Sequence, residues 1–388
     1  MGLERTSGDA QTSMAENVMK GASRRRTLCA GVNRKEAHVQ YVGIDWGYGR
    51  ARWCARAPGG EVLAEDWMTA DEDGLVRLAV RLGPEVQACV EMMSGAAWVR
   101  DQLALAGWKV QIADARRVKA LAPVAAKTDV VDARLLAELC RRELVPEVWV
   151  PTLTERALRE RLQRRMHLVR LRTSAKNRVF GLLSQWGVRI RVEHLRRGDA
   201  MDMLERRGVP PVWRRSVAEA LAVIDLLDER IAPLDRELGP IARADNRVQL
   251  LVTIPGLGDL LGLTVAAVIG DIARFSSAKK LVGYSGLAPR VRQSGESSRT
   301  GRLSKAGPKL LRWAAVEAAQ CAWRPTNPWH ELYSDVAKRH GKNPAKSAVA
   351  RKVLISAWHV LARNQPFKST RPRSNHRVSA SSMTPLAA

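Results

Sequence analysis

The spacing of apolar and polar positions changes several times along this chain, and each change marks a part. Residues 1–38 are polar, rich in Ser and Arg and without period, and read as a disordered extension. Three short strand-like runs follow at 39–45, 51–57 and 61–66, separated by the turn formers Gly47-Tyr48-Gly49 and Pro58-Gly59-Gly60. That pattern predicts an antiparallel meander. Next come a helical period over 72–81, a strand over Val86–Glu91, a helix over 96–106 and a strand over Lys109–Ala113. Helices are predicted at 116–121 and 129–142. The order β-β-β-α-β-α-β-α matches an RNase H-like α/β domain over 39–150.

The period then becomes purely helical. Over 153–185 the apolar stripe is Leu168, Leu171, Ala175, Val179, Leu182 and Trp186, and the other faces carry mostly Arg. A second helix over 212–238 has the stripe Val217, Leu221, Ile224, Leu227, Ile231, Leu234 and Leu238. Together they predict a helical coiled-coil arm over 151–245, either a dimerisation element or an intramolecular linker. Residues 250–269 contain Ile254-Pro255-Gly256-Leu257-Gly258 and predict a helix-hairpin-helix-like segment. Backbone N–H groups at Gly256 and Gly258 would there face a phosphate at a helix N-terminus. The region 246–365 reads as a mostly helical C-terminal domain, interrupted at 283–307 by a stretch rich in Gly, Ser and Arg. Residues 366–388 read as a disordered tail.

Charge sharpens this division. The 388 residues carry a net +25 with a pI near 10.8, which suggests a polyanionic partner. Residues 41–150 hold 14 Lys and Arg against 16 Asp and Glu, whereas 151–388 hold 43 against 19. A near-neutral region is therefore joined to a strongly basic one. The five cysteines, Cys29, Cys54, Cys89, Cys140 and Cys321, show no C-x-x-C spacing and read as reduced thiols. No apolar run is long enough to cross a bilayer, and the N-terminus lacks a secretory h-region. A cytoplasmic protein, nucleoid-associated when bound to DNA, is expected.

Four carboxylates stand out in the near-neutral region. Asp45 and Glu91 each end a short apolar strand, and Asp129 and Asp132 lie three apart on one helix face. Such an oxygen-rich set suits Mg²⁺ or Mn²⁺, and two ions about 4 Å apart would clamp a phosphodiester. Singly, each acid is also explained as a cap or a solvated charge. The second candidate is the basic stretch with Arg290, Arg292, Ser294, Gly295, Arg299, Arg302 and Lys305. Its serine reads either as a phosphate-contacting hydroxyl or as a nucleophile with Arg support. Ser276-x-x-Lys279 lacks the companion motifs of a β-lactamase, and Gly283-Tyr284-Ser285-Gly286 fails as a nucleophile elbow.

In order along the chain stand Gly43-Ile44-Asp45, Glu91, Lys127-Thr128-Asp129-Val130-Val131-Asp132-Ala133, Ile254-Pro255-Gly256-Leu257-Gly258, Gly286-Leu287-Ala288-Pro289, Ser294-Gly295 and Asn327-Pro328. Over roughly 41–365 the chain thereby resembles the DEDD-type insertion-sequence transposases, the Piv-like, bridge-RNA-guided recombinases. The resemblance implies a RuvC-like domain whose DEDD quartet is Asp45, Glu91, Asp129 and Asp132, binding Mg²⁺. It implies a transposase domain in which Ser294 is the DNA nucleophile, with Ser285, Ser297, Ser298 and Ser304 as competitors. It further implies a composite site within a homodimer or homotetramer, DNA as substrate, and a noncoding guide RNA. Two rivals remain at this point: a RuvC-like nuclease that hydrolyses with water, and a non-catalytic nucleic-acid-binding regulator.

Overall fold

A computed structural model describes residues 39–121, 128–196, 198–294 and 297–368, with side chains described outside 291–300. The expected disordered extension (1–38) and most of the expected tail (366–388) lie outside the described residues, as do Lys127 and Gly295. The chain forms two compact units, one ending at Val150 and one beginning at Pro151.

The first unit is built on a five-stranded sheet: β1 (Gln40–Trp46), β2 (Arg50–Arg56), β3 (Val62–Thr69), β4 (Val86–Glu91) and β5 (Lys109–Ala113). The strand order is β3-β2-β1-β4-β5. β1, β2 and β3 form the expected antiparallel meander, and β4 and β5 add in parallel to β1. Helices α1 (Glu72–Leu82) and α2 (Ala96–Leu105) are the crossovers, followed by α3 (Ala115–Leu121) and α4 (Asp129–Arg141).

β1 lies at the centre with both faces covered, which is why Val42, Gly43 and Ile44 are all buried instead of alternating. Val42, Ile44, Trp53 and Val90 face one core with Leu75 and Leu78 of α1 and Val99 and Leu103 of α2. The opposite face carries Cys54 and Cys89, packed on Ala133, Leu136, Ala137 and Cys140 of α4. Burial pushes the Cys89 thiol far up and the Cys140 thiol up to about 12, so both are inert packing groups.

The second unit begins with α5 (Leu153–Ser184), opened by a capping box between Thr152 and Glu155. It pairs with α7 (Pro211–Ala244), and the short α6 (Ala200–Arg206) lies between them in the chain. The stripe from Val217 to Leu238 is buried as its spacing predicts. The α5 stripe is only partly so: Leu171 and Trp186 are exposed, while Leu162 and Leu183 are buried. α7 continues through Pro233 and Pro240, which sequence reasoning stopped short of. Each proline costs a helix hydrogen bond, but both lie on the exposed side of a helix held by seven buried apolar contacts, Val217, Leu221, Ile224, Leu227, Ile231, Leu234 and Leu238.

The remainder is α8 (Asn246–Leu251), α9 (Asp259–Ile269), α10 (Ala278–Ser285), a β6 (Pro289–Ser294) and β7 (Ser297–Leu303) hairpin, α11 (Lys309–Ala318), α12 (His330–His340) and α13 (Lys342–Arg363). Apart from the hairpin these elements share one core, including Leu263, Leu311 and Val353. The hairpin was not legible as strands because its residues are polar on both sides of the alternation.

Two tests follow from the α4 contact. A Cβ on Gly43 would stand 2.1 Å from the Ala133 carbonyl oxygen and 2.3 Å from the Ala137 nitrogen. Gly43→Ala should therefore cost about 3 kcal/mol or more in urea unfolding, whereas Gly49→Ala, with open space around it, should cost little. Glu138, hydrogen-bonded by Arg141 and Arg142, is held from the ordinary 4.5 down to about 2. A lowered acid stabilises fully above its unfolded value and loses that contribution as pH falls towards the folded one. Glu138→Gln should lower Tm by a few degrees at pH 7, through about 1 kcal/mol or less for a partly exposed pair, and the difference should vanish near pH 2.

Candidate active site and nucleic-acid interface

The first unit brings its acids together by strand register. Ile44 pairs with Val90 in the parallel β1–β4 ladder, so the next residues, Asp45 and Glu91, end adjacent strands side by side. Asp45 also stands opposite Arg52, and Arg52 opposite Trp67. Glu91, Asp45, Arg52 and Trp67 thus form one row across four strands. By strand alternation that row lies on the same face as Tyr41, Gly43, Cys54 and Cys89, the face that α4 covers.

α4 crosses this face in a defined direction. Glu138 meets Arg56, which pairs with Tyr41, at 3.8 Å. One helical turn earlier Arg134 binds Glu65, which pairs with Cys54, and Ala133 lies on Gly43. Four helix residues and two strand residues both advance about 6 Å. The first turn of α4, with Asp129 and Asp132, is therefore directed at the end of the sheet that carries Asp45 and Glu91.

Thr128 is the N-cap, its hydroxyl accepting from the Val131 N–H at 3.3 Å. Asp129 is thus not the cap its sequence position allowed. It is exposed, while Asp45, Glu91 and Asp132 are half-buried. The oxygen-only chemistry of the set fits a hard divalent ion. The four-carboxylate cage expected from the sequence is not closed, however: among the described residues no group of three His, Cys, Asp or Glu side chains could hold a metal ion.

In the second unit the β6–β7 hairpin is fixed at its base. The Lys305 N–H donates to the Gly286 carbonyl at 3.0 Å and the Ser304 N–H to the Ala288 carbonyl at 2.9 Å. Arg312 clamps the Ser285 and Lys305 carbonyls at 3.0 and 3.3 Å. Gly286 and Gly307, both at positive φ, have no room for a Cβ: at Gly307 it would lie 1.9 Å from the Tyr284 carbonyl. At the far end Ser294 closes β6 opposite Ser297, and Arg292 stands opposite Arg299 in the register. Arg290, Arg302 and Lys305 are exposed. Ser285 is ruled out as a competing nucleophile. It is fully buried, its hydroxyl donating to the Val282 carbonyl at 2.7 Å and accepting from the Leu287 N–H at 3.2 Å.

The two glycines of the α8–α9 hairpin differ. Gly258 is the exposed N-cap residue of α9 with open space around it, as a phosphate-facing position requires. Gly256, at φ +91°, is needed for packing, because a Cβ there would lie 2.1 Å from the Ala318 carbonyl. Many cations of α5 are likewise structural. Arg161 pairs with Glu237, Arg165 with Asp235, Arg172 with Asp228 and Lys176 with Glu193. Arg159 donates to the Ala267 and Val268 carbonyls near the end of α9. Arg164, Arg170 and Arg178 remain exposed. Arg164 and Arg170, with Arg159, His167 and Lys309, line a cleft of about 620 Å³. Sequence reasoning did not foresee that cleft, since Lys309 comes from a distant segment.

No described helix is long and apolar enough to cross a membrane. Residues 42–187 match the family model of the DEDD transposases of IS110 elements, and residues 248–334 match the model described as the transposase IS116/IS110/IS902 family. The two matches contain both candidate regions. A probable family 20 transposase of Pseudomonas aeruginosa is 28% identical over 254 residues, covering 62% of this chain and 74% of the relative. The transposase of insertion sequence element IS1111A of Coxiella burnetii is 28% identical over 249 residues, 62% of this chain and 68% of the relative. The pilin gene-inverting protein of Moraxella lacunata is 32% identical over 146 residues, 36% of this chain and 45% of the relative. With one transposase model running from the first unit into the second and another matching residues 248–334, the chain belongs to the IS116/IS110/IS902 family of transposases, enzymes that cut and rejoin DNA.

Proposed function

We propose that this transposase moves its own insertion sequence by site-specific recombination, with Ser294 as nucleophile and Asp45, Glu91, Asp129 and Asp132 as the acidic set for Mg²⁺ or Mn²⁺. The observation that carries the reading is the register that sets Asp45 beside Glu91 on the face crossed by α4, within an RNase H-like strand order. A relative that inverts a pilin gene supports recombination over simple hydrolysis.

In this reading the Ser294 hydroxyl oxygen forms a bond to phosphorus while the bond from phosphorus to one bridging sugar oxygen breaks. The serine proton is released to solvent, and the departing sugar oxygen recovers one. The product is a phosphoserine–DNA diester, so rejoining is the same exchange run with a new sugar hydroxyl and needs no external energy source. A bound divalent ion would neutralise charge building on the phosphoryl oxygens. Arg290, Arg292, Arg299, Arg302 and Lys305, with Gly258, are assigned to nucleic-acid backbones, and Gly256 to packing the α8–α9 hairpin that presents Gly258. The coiled-coil arm, a homodimer or homotetramer and a noncoding guide RNA complete the proposal.

The decisive test is a covalent-adduct assay in cells carrying the complete element, with the DNA-linked peptide identified by mass spectrometry. An adduct on Ser294 is expected; divalent-ion-dependent cutting without any adduct would replace this reading with hydrolysis by water. Asp45→Asn, Asp129→Asn and Ser294→Ala should each lower recombination by at least about a thousandfold, with nucleic-acid affinity nearly unchanged. Arg302→Ala and Lys305→Ala should each reduce the slope of log affinity against log salt by about 1.

A further inference from the structure

The row that holds Asp45 and Glu91 does not stop at the acids. Its next two members, Arg52 and Trp67, stand on the same face of β2 and β3. Trp67 is 37% exposed on the edge strand, an unusual degree of exposure for an indole. The Arg50 guanidinium lies over its ring at 4.1 Å from the centroid, and that of Arg52 at 5.6 Å. Arg52 is tied to Glu65 at 3.4 Å, and Glu65 is held below the ordinary carboxylate range chiefly by its hydrogen bonds from Arg134 of α4. Among the described residues the Nε of Arg52 is buried without a hydrogen-bond partner. A cleft of 580 Å³ that Trp67 and Arg50 share with Trp53, Leu78, Arg77 and Arg81 opens at this sheet edge on the α1 side, not on the side of the acids. This cationic, aromatic corner belongs to a region whose charge is otherwise near zero, with 14 Lys and Arg against 16 Asp and Glu in 41–150.

We propose that Trp67, backed by Arg50 and Arg52, is a stacking platform for a DNA nucleotide close to the phosphate that is cut. The proposal rests on the reading of Asp45 and Glu91 as the cutting site. Two strand spacings separate Trp67 from Asp45 in the row, about 10 Å, which is about three nucleotides at the duplex rise of 3.4 Å. An indole face accepts any base, and guanidinium groups beside it serve the flanking phosphates. The platform fixes the strand leading into the acids without reading its sequence. The α4–Glu65–Arg52 link ties its position to the helix that carries Asp129 and Asp132. Trp67 is thus a positioning residue, not a catalytic one.

The test uses the full-length protein, with its nucleic-acid partners, on element-end DNA carrying 5-iododeoxyuridine at each of the four positions on either side of the cut phosphate. Photocrosslinking is expected at Trp67, mapped by mass spectrometry, from a label within about three nucleotides of the cut. Trp67→Ala should slow cleavage about 10- to 100-fold, and Trp67→Phe, which still stacks, should stay within about threefold. An abasic site at the crosslinked position should slow the wild type but not further slow Trp67→Ala. Unaltered cleavage in Trp67→Ala, with crosslinks only elsewhere, overturns the platform. So does a Trp67 crosslink formed only when the label is placed in RNA. Crosslinking needs no chemistry, so an active Asp45→Asn would defeat the carboxylate reading while the label still reports on Trp67.

Discussion

The approach of α4 to Gly43 is the constraint on which the first unit depends. Helix backbone lies against strand backbone with no side chain between them, because any Cβ on Gly43 would overlap the Ala133 carbonyl. That contact fixes the height of α4 above the sheet. Ala133 and Ala137 on the helix and Cys54 on β2 keep the gap small. Glu138 with Arg56 and Arg134 with Glu65 then fix its direction, as polar pairs at the edge of an apolar seam. Such pairs contribute little stability singly, but an inverted or slipped helix would leave all of them unmatched. The carboxylate end of α4 is aimed at the carboxylate end of the sheet through this seam.

A second theme is how the positive charge is used. The count of 64 Lys and Arg overstates the cations open to a polyanion. On α5, Arg161, Arg165, Arg172 and Lys176 face acids of the same unit, and Arg159 caps the carbonyls near the end of α9. Arg312 is likewise engaged by backbone carbonyls at the base of the β6–β7 hairpin. Arg suits these tasks because one planar group satisfies two acceptors at once. Arg164, Arg170, Arg178, Arg290, Arg302 and Lys305 are among the cations that stay exposed, and on such residues salt-dependent binding would rest.

The hairpin shows how a site can be rigid at its root while its tip is polar. Gly286 and Gly307 let the two ends of the segment touch, and the Arg312 clamp closes the base. Such a root holds the register by which Ser294 faces Ser297 and Arg292 faces Arg299. A polar two-stranded ribbon has no hydrophobic face of its own to set that register.

The sequence by itself determined the elements and their order. Periods of two and of 3.6 residues located β4 and β5 without error and the other strands and helices of the first unit to within a few residues, because these segments bury regular apolar faces. Asp45, Glu91, Asp129, Asp132 and Ser294 could be singled out because each stands at a strand end, in a helix first turn or in a cationic loop. The length of α7 beyond its prolines and the half-exposed stripe of α5 were not legible, since each depends on contacts with segments distant in sequence, and the β6–β7 strands were not because they carry no sustained apolar alternation. Only the tertiary structure decided which cations are internal, that Gly256 packs while Gly258 is open, and that Ser285 is buried and satisfied. It also decided that Arg52 and Trp67 continue the row of Asp45 and Glu91. Register across strands is set by pairing between separated segments, and no local period encodes it.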